Sequence, residues 1–154
     1  MTKLKVENLR IDSIIPYENN AKEHPTEQVE HIANSIKAFG WQQPIVIDKD
    51  NIVIIGHGRL LAAKSLNLKT VPVVRAEDLT EDQVKALRLI DNKTNESPWD
   101  YSILAEEYKS LTDINLTDFG FDPEINESNE VDIKEAEGFV EKVCCPRCGH
   151  VWEE

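Results

Sequence analysis

Apolar positions along this chain change period several times, and the changes mark out its elements. Leu4, Val6, Leu9, Ile11, Ile14 and Ile15 are broken by polar residues until Pro16 ends the run, which predicts an extended lead-in. Residues 17–25, with two Asn and a Pro, predict a loop. From there Val29, Ile32, Ala33, Ile36 and Phe39 recur at helical steps, predicting an amphipathic helix capped by Thr26 and closed by Gly40. Two β-branched runs, Ile45–Ile47 and Ile52–Ile55, flank the polar stretch Asp48–Asn51 and predict a hairpin.

The second run feeds Gly56-His57-Gly58, then a predicted helix over Arg59–Leu66, then a third run, Val71–Val74. Pro72 cannot donate to a ladder, so that strand is expected to have an exposed edge there. Thr80 and Gln83 form a capping box opening a helix that carries Val84, Leu87 and Ile90. A polar bend over Asp91–Pro98 leads to another helix near Asp100, carrying Leu104, Tyr108 and Leu111. Gly120–Pro123 ends the folded part. Short strands alternating with helices predict an α+β domain, a small mixed sheet flanked by helices, over residues 1–123.

Composition narrows the class. Of 154 residues, 40% are hydrophobic and 30% charged, as in soluble globular proteins. No apolar run approaches the roughly 20 residues needed to span a bilayer, and Met1–Glu7 lacks a signal-peptide core, which points to the cytoplasm. The net charge of −12 repels a phosphate backbone, so sequence-independent DNA binding by the chain alone is disfavoured, although a local basic pocket is not.

Residues 123–154 hold nine acidic and three basic residues, a net −6, and residues 124–142 read as a flexible acidic linker. The tail, 143–154, carries Cys145-Pro146-Arg147-Cys148-Gly149, the spacing of a zinc knuckle. A tetrahedral site needs a second pair of ligands. Only Cys144 and His150 are near, so two tails of a homodimer would supply four thiolates. Zinc on Cys145 and Cys148 and an exposed reduced tail are both compatible with this pattern.

The segment with the most chemistry is the turn after the second β run. A strand ending in Gly-x-Gly and entering a helix lets a ligand approach the backbone, and the first-turn N–H groups favour an anion. Arg59 is placed to fork two phosphate oxygens. Alone, this pattern also describes a tight turn with a solvated Arg.

Order and spacing add to it. Gln43–Ile47, then Ile55–Lys64 (IGHGRLLAAK), then Leu68–Val73 resemble the N-terminal domain of the ParB family, within the ParB/sulfiredoxin fold, across residues 11–95. The resemblance implies that Gly56, His57, Gly58 and Arg59 face the phosphates of a nucleotide, CTP or ATP. ParB proteins place further arginines where this chain has Gly58 and Leu61, which implies weaker phosphate neutralisation. Sulfiredoxins put a reactive Cys near this turn; His57 stands there instead, so that chemistry has no nucleophile.

The same resemblance makes Lys22 a second phosphate contact. It also makes Asp91 and Asn92 the hard-oxygen groups that assist Mg²⁺. A solvated loop Lys and a helix-ending bend are the plainer readings of these residues. Asn20-Ala21-Lys22, Leu89–Lys93, Trp99-Asp100 and Phe119–Asp122 are similar to the ParB-like module that precedes DNA methyltransferases in phages and mobile elements. Within this sequence the stretch after 123 is too short for a methyltransferase or a helix-turn-helix domain, so neither activity is expected of it. The implied function is a nucleotide-binding accessory module for DNA modification, partition or mobile-element DNA metabolism, acting through a partner such as a methyltransferase. Two alternatives stand beside it. One is a nucleotide hydrolase or small-molecule kinase with His57 or Asp91 as general base; the other is a protein-interaction adaptor with a vestigial pocket.

Overall fold

Ile45, Ile47, Val53, Val71 and Val73 are fully buried, and their alternation with less buried neighbours gives the sheet its covered face. The computed structural model describes residues 4–95 and 97–122, with the backbone of Val143–Cys144 and Val151–Trp152. Strand β1 (Val6–Arg10) is followed by a 3-10 turn, helix α1 (Thr26–Phe39), β2 (Ile45–Ile47), β3 (Val53–Ile55), α2 (His57–Ser65) and β4 (Thr70–Arg75). Helices α3 (Glu81–Thr94) and α4 (Tyr101–Ser110) and a 3-10 turn over Leu116–Phe119 complete the described domain.

The sheet has four strands in the order β1-β4-β2-β3. β1 runs antiparallel to β4, β2 and β3 form the expected hairpin, and β2 runs parallel to β4, with Ile45 opposite Val73. This is the mixed α+β architecture the chain predicts. Leu60 and Ala63 of α2 close the core with Ile11 and Ile14, each large apolar side chain contributing about 1.5–3 kcal/mol by burial.

Four expectations change. Thr26 is the first residue of α1 rather than its cap; Pro25 holds the cap position and no side chain bonds there, consistent with proline's fixed φ. Gly40 does end the helix, at φ +71°. β4 is an interior strand rather than an edge strand, although its β2 side is still unpaired at Pro72. Pro72 faces Asn8 of β1, and the ladder to β2 begins only at Val73, so the missing donor falls where that ladder has not started.

The capping box at Thr80 and Gln83 is present, but α3 turns a different face inward. Ile90 is 54% exposed and Leu89 62%, while Arg88, four residues after buried Val84, is buried. Asp91 and Asn92 belong to the last turns of α3 rather than to a bend. The inner stripe of α3 thus begins apolar and ends polar.

Two bonds beside the sheet place the loop that precedes α1. Ile15 N–H donates to Asn51 O at 3.0 Å and Val53 N–H to Ile15 O at 2.9 Å, which pins the chain before Tyr17 to the outer side of the β3 hairpin.

Candidate functional site

β3 ends at Ile55 and the chain turns at Gly56, whose φ of +100° and ψ of 32° lie in the left-handed region glycine tolerates. Gly56 is the N-cap of α2, and no side chain caps that end. Helical bonding starts with Leu60 N–H to Gly56 O at 3.0 Å, leaving the N–H groups of His57, Gly58 and Arg59 as the orphan donors of the first turn. They belong to the wall of a cavity of about 220 Å³ that also takes in Asn20, His24, Asp91 and Asn92.

A β-carbon on Gly56 would stand 3.3 Å from Arg59 Nη1, so the guanidinium lies back over the turn. Gln43 Oε1 accepts from Arg59 Nη2 and aims it. Burial pushes the Arg59 pKa down and the Asp91 carboxylate pulls it back up; the group stays a cation at any physiological pH. Gly58 has a second task. A β-carbon there would stand 2.9 Å from Ile32 Cδ1 and 3.4 Å from His24 Nδ1, so its bareness lets α1 and α2 close together.

His57 is held by its neighbour across the cavity wall. Tyr17 N–H donates to His57 Nε2 at 3.3 Å. Burial, then the positive fields of His24 and Arg88, push the His57 pKa down to about 4, so the ring is neutral at pH 7. A neutral imidazole that accepts at Nε2 carries its proton on Nδ1 and is a donor there. The general-base role expected for His57 does not fit this arrangement, because its one lone-pair nitrogen is already engaged. Asp91 is the carboxylate on the same cavity.

Asn92 Nδ2 donates to Arg88 O at 2.8 Å, which leaves its carboxamide oxygen for a ligand. Asp91 and Asn92 therefore offer the hard oxygen donors that Mg²⁺ takes, and they fit that ion. Among the described residues no group of three or more His, Cys, Asp and Glu forms a cage, so phosphate oxygens and water would complete the shell. Lys22 is exposed and lies outside the cavity wall; its carbonyl accepts from Asn20 Nδ2 at 2.7 Å. Cys145 and Cys148 lie outside the described residues, in sequence between the paired strands β5 (Val143–Cys144) and β6 (Val151–Trp152).

Sequence reasoning missed Asn20, Gln43, Tyr17 and Arg88. Gln43 and Asn20 lie within family-like motifs, but nothing in their spacing says what they touch. Arg88 carries a signal, its i+4 relation to Val84, that the apolar pattern of α3 conceals.

The model of the ParB N-terminal domain family matches residues 1–93. The chain is 43% identical over 81 residues to the ParB-like nuclease domain-containing protein YnaK of Escherichia coli, covering 53% of this chain and 93% of that one. It is 36% identical over 113 residues to a probable chromosome-partitioning protein ParB of Campylobacter jejuni, covering 70% of this chain but 39% of that protein. Among solved structures, C-terminally truncated ParB from Caulobacter crescentus complexed with CTP-gamma-S matches with a TM-score of 0.59 at 23% identity, over 75% of this chain and 70% of that one. The last similarity is one of fold.

Proposed function

Because the chain belongs to the ParB N-terminal domain family, we propose that it binds a nucleotide by its phosphates at Gly56–Arg59 and serves DNA transactions through a partner. The observation that carries this reading is the uncapped first turn of α2 opening, beside Arg59, into the cavity that also holds Asp91 and Asn92. The CTP analogue in the Caulobacter relative supports a nucleotide as the anion. Arg59 neutralises charge, the N–H groups of residues 57–59 and the Nδ1–H of His57 donate to phosphate oxygens, and Asp91 with Asn92 would hold Mg²⁺. Bound there, the ion would supply charge neutralisation between phosphates. The net charge of −12 favours a partner over direct backbone contact for the approach to DNA.

Calorimetry with CTP and with ATP, each with and without Mg²⁺, tests this. Saturable binding that Arg59→Ala abolishes is expected. No heat at millimolar nucleotide, or unchanged binding in Arg59→Ala, would overturn it. Turnover is a second reading, favoured by the Asp91 carboxylate on the cavity wall. Phosphate release that Asp91→Asn removes would establish it.

A further inference from the structure

Arg88 reaches three segments outside its own helix, and two of them, β3 and the loop after Tyr17, line the cavity. Its Nε donates to Val53 O at 3.1 Å, on the strand that leads to Gly56. Its Nη2 lies 3.9 Å from Asp48 Oδ2, and Asp48 Oδ1 accepts from the N–H groups of Asp50 and Ile52 at 2.9 Å, closing the β2–β3 turn. Its guanidinium carbon stands 3.7 Å from the centre of the Tyr17 ring. The backbone N–H of that same Tyr17 holds His57 Nε2. On its own helix, its carbonyl accepts from Asn92 Nδ2.

A charged side chain that deep is a cost unless its bonds return the desolvation. Among the described residues Arg88 is the buried charged one, at 9% exposure, and it does not line the cavity that contains Arg59. An apolar side chain at that point of α3 would fill the space without tying Val53 O, the Asp48 carboxylate and the Tyr17 ring to one group. A planar guanidinium can bond in its plane to β3 and to Asp48 while its face lies on Tyr17.

We infer that Arg88 is the positioning residue of the nucleotide site: it sets the separation between the glycine turn and the Asp91–Asn92 pair, and the register of Tyr17 that fixes the His57 ring. This rests on the nucleotide reading above. Arg88 does not contact the ligand. It registers, through Tyr17 and β3, the donors on one wall, and through α3 the oxygens on the other.

The test compares wild type, Arg88→Lys and the double variant Arg88→Met/Asp48→Asn. The carboxamide that replaces the Asp48 carboxylate can still accept the two turn N–H groups. Exchanging a buried ion pair for neutral groups of similar size is often near neutral for stability. Three quantities are measured: the thermal midpoint, the Kd for the nucleotide that wild type binds, and the ring ¹⁵N shifts of His57. Affinity is expected to fall about 10–100-fold in the double variant, as for other residues that orient ligand-binding groups, with a smaller fall in Arg88→Lys. The His57 ring should lose its fixed Nδ1–H tautomer in step. Wild-type affinity in a folded variant, or a loss no larger than its unfolded fraction dictates, would overturn the inference. Should the double variant fail to fold, Arg88→Lys decides by the same two readouts. Absence of binding by wild type sinks the nucleotide reading instead.

Discussion

The backbone N–H of Tyr17 lies 3.3 Å from Nε2 of His57, joining positions 40 apart and fixing the ring that follows the glycine turn. A neutral ring that accepts there carries its proton on Nδ1, the donor that the proposed nucleotide reading uses. Burial of that ring, with the fields of His24 and Arg88, gives the protein a pH dependence that can be separated from that of its many carboxylates.

His57 titrates near pH 4 when folded, against 6.5 for an unperturbed ring. Between those values the unfolded chain binds the extra proton, so this group's contribution makes stability rise with pH across the window and fall away as acid is added. Above the unfolded value it is constant. Urea midpoints at about pH 4.5 and about pH 7 should differ more in wild type than in His57→Gln. Equal differences in the two proteins would refute the assignment.

Gly56→Ala forces a β-carbon into the left-handed region and against the Arg59 guanidinium. The expected cost is about 1–3 kcal/mol, read from denaturant unfolding. Nucleotide affinity should fall further than stability alone explains, because the displaced guanidinium is the cation of the proposed site.

Gln43→Ala removes the acceptor that aims Arg59. Gln43 is exposed, so stability should stay within about 0.5 kcal/mol of wild type. Affinity should drop by about 1 kcal/mol, roughly fivefold, measured by titration. A stable variant with unchanged Kd would show that Arg59 needs no guide.

Thr80→Ala removes one bond of the capping box, Gln83 N–H to Thr80 Oγ1 at 3.3 Å, and leaves the backbone N–H of residue 80 to donate to Gln83 Oε1. About 1 kcal/mol of stability should go with the lost cap. Amide exchange in the first turn of α3 should quicken, while the Asp91 end, anchored through Arg88, changes less.

Much of the fold was legible because Ile45–Ile47 alternate and the stripe from Val29 to Ile36 keeps its helical period, though Phe39 at its end is 47% exposed. The glycine turn was legible because Gly56 takes the left-handed backbone that its residue type permits, at the start of α2. α3 departs from its apolar pattern where a buried Arg88 and the cavity-lining Asp91 and Asn92 turn inward. Its inward positions 84, 88, 91 and 92 pass from Val to Arg, Asp and Asn, so apolar periodicity pointed to Ile90, which faces out. Pro72 misled because a missing donor constrains one side of a strand at one residue, and β2 begins just beyond it. The Tyr17–His57 bond leaves no trace in the sequence, since its donor is backbone.

The sheet's connectivity has a consequence in time as well as space. β2, β3, α2 and β4 are continuous in the chain, residues 45–75, and carry the glycine turn within one local unit. Tyr17 and the Asp91–Asn92 end of α3 reach that unit from outside it, through few bonds. Contacts closed over long stretches form late in folding, and segments held by few contacts open by sub-global fluctuation. The two walls of the cavity therefore differ in lifetime. The site can come apart and reassemble while the sheet beneath it stays whole, and a ligand that bridges the walls would be felt first as slower exchange in α3, ahead of any change in global unfolding.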